Sequence, residues 1–149
     1  MASVDVAAEG TLARYASAVA AAAEAALRVL GEDASELSIA LVDDEAIRKL
    51  NAAWRDKDTP TDVLAFPQRE GEGPEVPGLR GDVVISIPTA ERQAAERGHA
   101  VEHEIRELLV HGILHVLGFD HERSAADAER MFARQREVLA AIEAGESGR

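Results

Sequence analysis

The chain has 149 residues, enough for one domain that buries roughly 68–70% of its unfolded surface. With no cysteine and only 3% aromatic residues, disulfides, thiolate ligands and a cysteine nucleophile are excluded, and the core must rest on Leu, Val, Ile and Ala. A formal net charge of -12 weighs against a broad nucleic-acid-binding surface, which needs Lys and Arg, yet leaves room for a local basic site.

MASVDVAAEG carries neither a basic region nor an apolar run, so it does not read as a signal peptide. Val4 and Val6 suit a short edge strand. Thr11 can cap a helix running to about Leu30, stopped by Gly31; its alanine-rich part from Ala16 to Ala26 is interrupted by Glu24 and is too weak to span a bilayer. A soluble cytoplasmic protein with no membrane partner is expected. Leu37–Val42 reads as a strand, and Asp43 or Asp44 then caps a helix with Ile47, Leu50 and Trp54 on one face.

Four cations, Arg48, Lys49, Arg55 and Lys57, fall in one window around that helix end. The turn-like DKDTPTD leads into a strand at Val63–Phe66, closed by Pro67. An Arg55 guanidinium held there can clamp a phosphate bidentately, or it can pair with an aspartate and brace the turn. The Gly- and Pro-rich segment from Pro67 to Gly81 is expected to be an exposed, mobile loop. Asp82–Ile87 is a further strand, and Thr89 starts a helix ending near Gly98.

A longer helix covers about Val101 to Leu117, with Gly118 as its stop. Within it His111 and His115 stand four apart, on one face, and His121 follows just past the glycine. Three neutral imidazoles converging on one point leave a tetrahedral zinc position open, the arrangement of a catalytic site. A helix-borne zinc peptidase would place Glu directly after the first of these histidines as general base, and this chain has Gly112. Glycine inside a helix costs roughly 1 kcal/mol relative to Ala, so either close packing or clearance for a substrate must offset it. Asp120 can support a ligand imidazole or serve the turn. Glu107 can likewise back His111 or be an exposed helix acid, and His103 reads as a surface residue. Ser124 with Asp127 matches a capping box opening a last helix to about Glu143, with Met131, Val138 and Ile142 on one side.

The elements add up to one α+β domain over 1–149, with 145–149 as a disordered tail. About four strands form a small mixed sheet packed with about five helices, and a zincin-like metal site sits on one helix.

LNAAWRDKDTPTDVLAFP (Leu50–Pro67), GDVVIS (Gly81–Ser86) and HGILHVLGFDH (His111–His121), in that order, resemble the YbeY family of bacterial metal-dependent endoribonucleases. The resemblance implies a small mixed sheet packed with helices, one Zn2+ ion per chain on His111, His115 and His121, and Arg55 as the essential basic residue. It further implies single-stranded RNA and ribosomal RNA precursors as substrates, 16S rRNA 3′ end maturation and ribosome quality control as roles, and the ribosome or small-subunit assembly factors as partners, with no DNA. Relatives often carry another histidine at the position of Glu107, where this chain departs. On this reading the missing glutamate is not needed: a metal can polarise a phosphoryl oxygen while Arg55 shares the developing charge. The nucleophile, water or the substrate 2′-hydroxyl, is left open. The two competing readings are a zinc-dependent peptide or amide hydrolase and a non-catalytic ribosome-assembly factor with a structural metal.

Overall fold

The computed structural model describes residues 3–32, 35–67 and 80–147. Strand β1 (Ser3–Ala8) is followed by a 3-10 turn (Gly10–Tyr15) and helix α1 (Ala16–Val29). Then come β2 (Glu36–Val42), α2 (Asp44–Arg55), β3 (Val63–Pro67), β4 (Arg80–Ser86), α3 (Ile87–Arg97), α4 (Val101–Val116) and α5 (Ala125–Ser147). The sheet order is β1-β2-β4-β3, with β1/β2 and β2/β4 parallel and β3/β4 antiparallel. This is the expected α+β architecture, a four-stranded mixed sheet with five α-helices.

Alternation along β2 explains how the sheet divides the helices. Leu37, Ile39 and Leu41 are buried in the main core with residues of α1, α4 and α5, whereas Ala40 and Val42 point to the other face, where Ile47 and Leu50 of α2 meet Leu64, Phe66 and Val84. Burial fades along α2, from Ile47 at 0% to Trp54 at 71% exposed. The stripe that includes Trp54 is therefore well covered only at its first two members, and the indole keeps just an edge contact with Phe66.

Several element ends differ from their expected places. The first helix begins only at Ala16, because Gly10–Tyr15 winds as a 3-10 turn in which Thr11 caps nothing. Helix α3 starts at Ile87, two residues before Thr89, since the Oγ of Ser86 accepts the Thr89 N–H and Pro88 fits the first turn. Asp43, not Asp44, caps α2 by accepting the Ala46 N–H at 2.9 Å. Asp44 instead takes hydrogen bonds from Ser86, Thr89 and Arg92, tying α2 to the β4–α3 junction. Ser124 accepts the Asp127 N–H at 3.0 Å, one half of the expected capping box. Helix α5 runs to Ser147, into the segment expected to be tail, while 148 and 149 lie outside the described residues. So does most of the Pro67–Gly81 segment, at 68–79.

Gly112 answers for itself at this level. A Cβ there would meet Val83 Cγ1 at 2.7 Å and Val63 Cγ2 at 3.3 Å. The glycine lets α4 lie directly on β3 and β4, so packing, rather than substrate clearance, offsets its helical cost.

Candidate metal centre

Helix α4 presents His111 and His115 one turn apart, with ring centroids 4.8 Å from each other. It then ends in a Schellman motif: Gly118 (φ +101°) donates to the His115 carbonyl, and Phe119 donates to the Leu114 carbonyl. That reversal brings His121 back, its ring 5.3 Å from each of the other two. One ligand nitrogen from each of the three histidines lies within 4.8 Å of the others, a spacing that a single ion can bridge.

The protonation states suit this use. Burial is the main cause holding His111 and His115 below the ordinary value of 6.5. His115 is pushed further down by its neighbours His111 and His121, against a small opposing pull from Asp120. Both rings are therefore neutral at physiological pH and keep a lone pair. The Nδ1 of His111 faces Gln135 Oε1 at 2.9 Å; with that nitrogen donating, Nε2 is left as the acceptor. His121 Nδ1 is buried without a hydrogen-bond partner among the described residues, an arrangement costing about 1–3 kcal/mol unless something binds the ring. These features fit a metal ion. Phe132 of α5 stacks on His111 at 6.2 Å and tilts against His121 at 5.9 Å, so the last helix walls the cluster.

Arg55 arrives from the opposite face of the sheet. It is the last residue of α2, and Asp56 next to it takes a left-handed conformation that ends the helix. The guanidinium donates to the Ala65 carbonyl of β3 at 2.5 Å and lies 5.2 Å from the Phe66 ring centre. Its positive charge is one of the influences lowering His115. Strand β3 is thus the common wall, touched by α4 at Val63 and by Arg55 at Ala65. The Arg–Asp pair that braces the turn is a different one: Arg48 bonds Asp58, while Asn51 donates to the Thr59 carbonyl. Among the described residues no carboxylate pairs with Arg55.

The Endoribonuclease YbeY family profile matches residues 3–143 of this chain. The chain belongs to the YbeY family. Proteins named endoribonuclease YbeY from Bacillus thuringiensis (strain Al Hakam) and Bacillus cereus (strain AH187) are each 47% identical over 121 residues, covering 76% of this chain and 77% of theirs. The solution structure of TM1509 from Thermotoga maritima superposes with a TM-score of 0.68 at 25% identity, covering 97% of this chain and 92% of that one.

Of the acids near the YbeY motif, Asp120 takes the turn role that was one of its two expected readings, and Glu107 serves a different histidine. Asp120 accepts the Glu122 N–H at 2.8 Å and stands 3.6 Å from Arg123, the geometry of a turn residue whose charge reaches His115 through space. Glu107 does not back His111; it binds His103 at 3.2 Å, with Arg97 at 3.9 Å. His103 is held between Glu107 and Glu143 instead of lying free on the surface. His99, which carried no signal in the sequence, contacts the fully buried Glu104 at 2.5 Å. His99, Glu104 and Glu107 form a second group of close ligand atoms, but Arg97 already donates to Glu104 at 2.6 Å. That cluster carries its own cation and ties the α3–α4 corner together. Sequence reading missed Gln135, whose role depends on a packing contact 24 residues from His111.

Proposed function

We propose that the protein is a metal-dependent endoribonuclease of ribosomal RNA processing, with one Zn2+ ion on His111, His115 and His121 and with Arg55 as the charge partner. The observation that carries the reading is the grouping, around β3, of three histidines, with His111 and His115 held below their ordinary value, and a guanidinium that has no carboxylate partner among the described residues, in a chain of the YbeY family. A bound ion of this kind supplies Lewis acidity toward a phosphoryl oxygen.

The chain's own residues do the rest. Gln135 fixes the ring of His111 and with it the nitrogen offered to the site. Arg55 uses one N–H on Ala65 and keeps its other donors for phosphodiester oxygens, where added negative charge is met by a fixed cation. The negative charge of Asp120 makes the His115 ring more basic from its turn, and a more basic neutral ring is a stronger metal ligand. No carboxylate base is assigned at position 112, because Val83 and Val63 fill the space beside it. Attack by water or by the substrate 2′-hydroxyl is compatible with this set. The packing of Gly112, and Met131 buried in α5 instead of in a turn below the histidines, count against a peptide hydrolase.

The finer roles belong to the same proposal: single-strand specificity, maturation of the 16S rRNA 3′ end, and ribosome quality control alongside small-subunit assembly factors. The test compares zinc-loaded wild type with Arg55→Ala and His111→Ala on a single-stranded RNA, a duplex and a 16S precursor. Wild type is expected to cut the single strand and the precursor, and each variant to lose at least a hundredfold in rate. Equal cleavage by all three proteins would overturn the reading, since a contaminating nuclease would then be the source.

A further inference from the structure

Trp54 is the only tryptophan of the chain and is 71% exposed. It sits in the last turn of α2, directly before Arg55. Its ring meets Phe66 edge-to-face, with centroids 6.4 Å apart at 64°, and Phe66 in turn lies 5.2 Å from the Arg55 guanidinium. Trp54, Phe66 and Arg55 are thus one connected shelf on β3 and the end of α2. Phe66 holds the indole in place, while most of the indole surface stays in water.

Leaving so large an apolar ring in solvent gains nothing for the fold. We infer that Trp54 is a nucleobase-stacking platform: a base of single-stranded RNA lies on the indole while the adjoining phosphate is held by Arg55. This rests on the endoribonuclease reading and adds a positioning residue to it.

Charge selects this occupant. Arg55 has no carboxylate partner among the described residues, Lys57 is exposed two residues further on beyond the exposed Asp56, and nearby Asp58 is turned toward Arg48, which it shares with Glu45. An aromatic face beside a free cation is how single strands are held without sequence reading, because every base has a π-face. The shelf and the histidine helix share strand β3, Arg55 bonding the Ala65 carbonyl and α4 packing on Val63 at Gly112. A strand anchored on Trp54 is therefore led toward the metal ligands. Duplex RNA, with its bases already stacked on each other, gains nothing from the platform.

The sole tryptophan is its own probe. Metal-free protein is titrated with a single-stranded RNA oligonucleotide and with an abasic version of it, following indole fluorescence. Trp54→Leu and Trp54→Phe are assayed for binding by anisotropy and, zinc-loaded, for cleavage. Quenching is expected with the normal strand and not with the abasic one. Trp54→Leu should bind roughly 5- to 150-fold more weakly, raise KM far more than it lowers kcat, and leave the melting temperature unchanged; Trp54→Phe should recover part of the affinity. Unquenched fluorescence, or a Trp54→Leu variant that binds RNA like wild type, would overturn the inference. So would a variant whose only change is in self-association, which would make the shelf a contact between copies. In those cases RNA cleavage lost in Arg55→Ala and His111→Ala would leave the endoribonuclease reading standing, whereas wild type inert on every RNA would fell that reading itself.

Discussion

Among single residues, Gln135 is the one whose removal separates ring placement from ligation. Its amide oxygen is the partner of His111 Nδ1, so Gln135→Leu keeps the bulk and all three imidazoles but frees the ring of His111 to turn. Zinc affinity measured by chelator competition should fall roughly 10- to 100-fold, with secondary structure unchanged by circular dichroism. The histidines themselves were legible in the sequence, because i, i+4 spacing and a helix-ending glycine are local rules. Gln135 was not: nothing local marks which residue of a helix 24 positions later will face a given ring. The exposure of Trp54 was not legible for a related reason. The periodicity of α2 places it on the stripe of Ile47 and Leu50, but whether a stripe is covered depends on how far the sheet extends beneath it.

At the scale of elements, the α4 end and the turn after it decide where the third histidine of the cluster stands. Gly118 has φ +101°, a conformation that side chains resist. Gly118→Ala should cost roughly 1–3 kcal/mol in urea unfolding, and it should weaken zinc binding as well because His121 lies three residues on. Gly98→Ala, also at positive φ (+71°) but remote from the cluster, is the control: it should lose stability and keep zinc affinity. The helix and strand order was readable from periodicity and turn chemistry. The start of α3 was not, because Ile87 reads as the end of a strand and only the three-dimensional turn lets the Ser86 hydroxyl accept the Thr89 N–H.

For the whole molecule, the buried groups predict how the metal-free protein responds to acid. His111 and His115 are depressed from 6.5, chiefly by burial. Between their folded values and 6.5 the unfolded chain binds more protons than the folded one, so stability is full above that window and declines as pH falls through it. Asp44 adds a second window lower down: hydrogen bonds from Ser86 and Thr89, with help from Arg92, hold it below 3.8, so its contribution is lost as pH falls from there through its folded value. Urea midpoints of the metal-free protein should therefore drop first as pH falls below about 6.5 and again below about pH 4. A His111→Leu, His115→Leu double variant should flatten the first fall and leave the second. Net charge, by contrast, told little about the site: -12 is a sum over the surface, and the cation proposed for the site is a single guanidinium.

The closeness of α4 to the sheet at Gly112 also bears on ancestry and redesign. Metal-hydrolase scaffolds are often pictured as one substitution apart, with a peptidase obtained by writing Glu after the first histidine. Here that glutamate would point into Val83 and Val63, burying a carboxylate beneath the helix instead of offering it to a substrate. Any lineage or designer moving between the two chemistries on this scaffold would have to lift the helix and refill the sheet before the new side chain could act. The nuclease and the peptidase are separated by a repacking of helix against sheet, and selection on activity alone would meet a destabilised intermediate on the way.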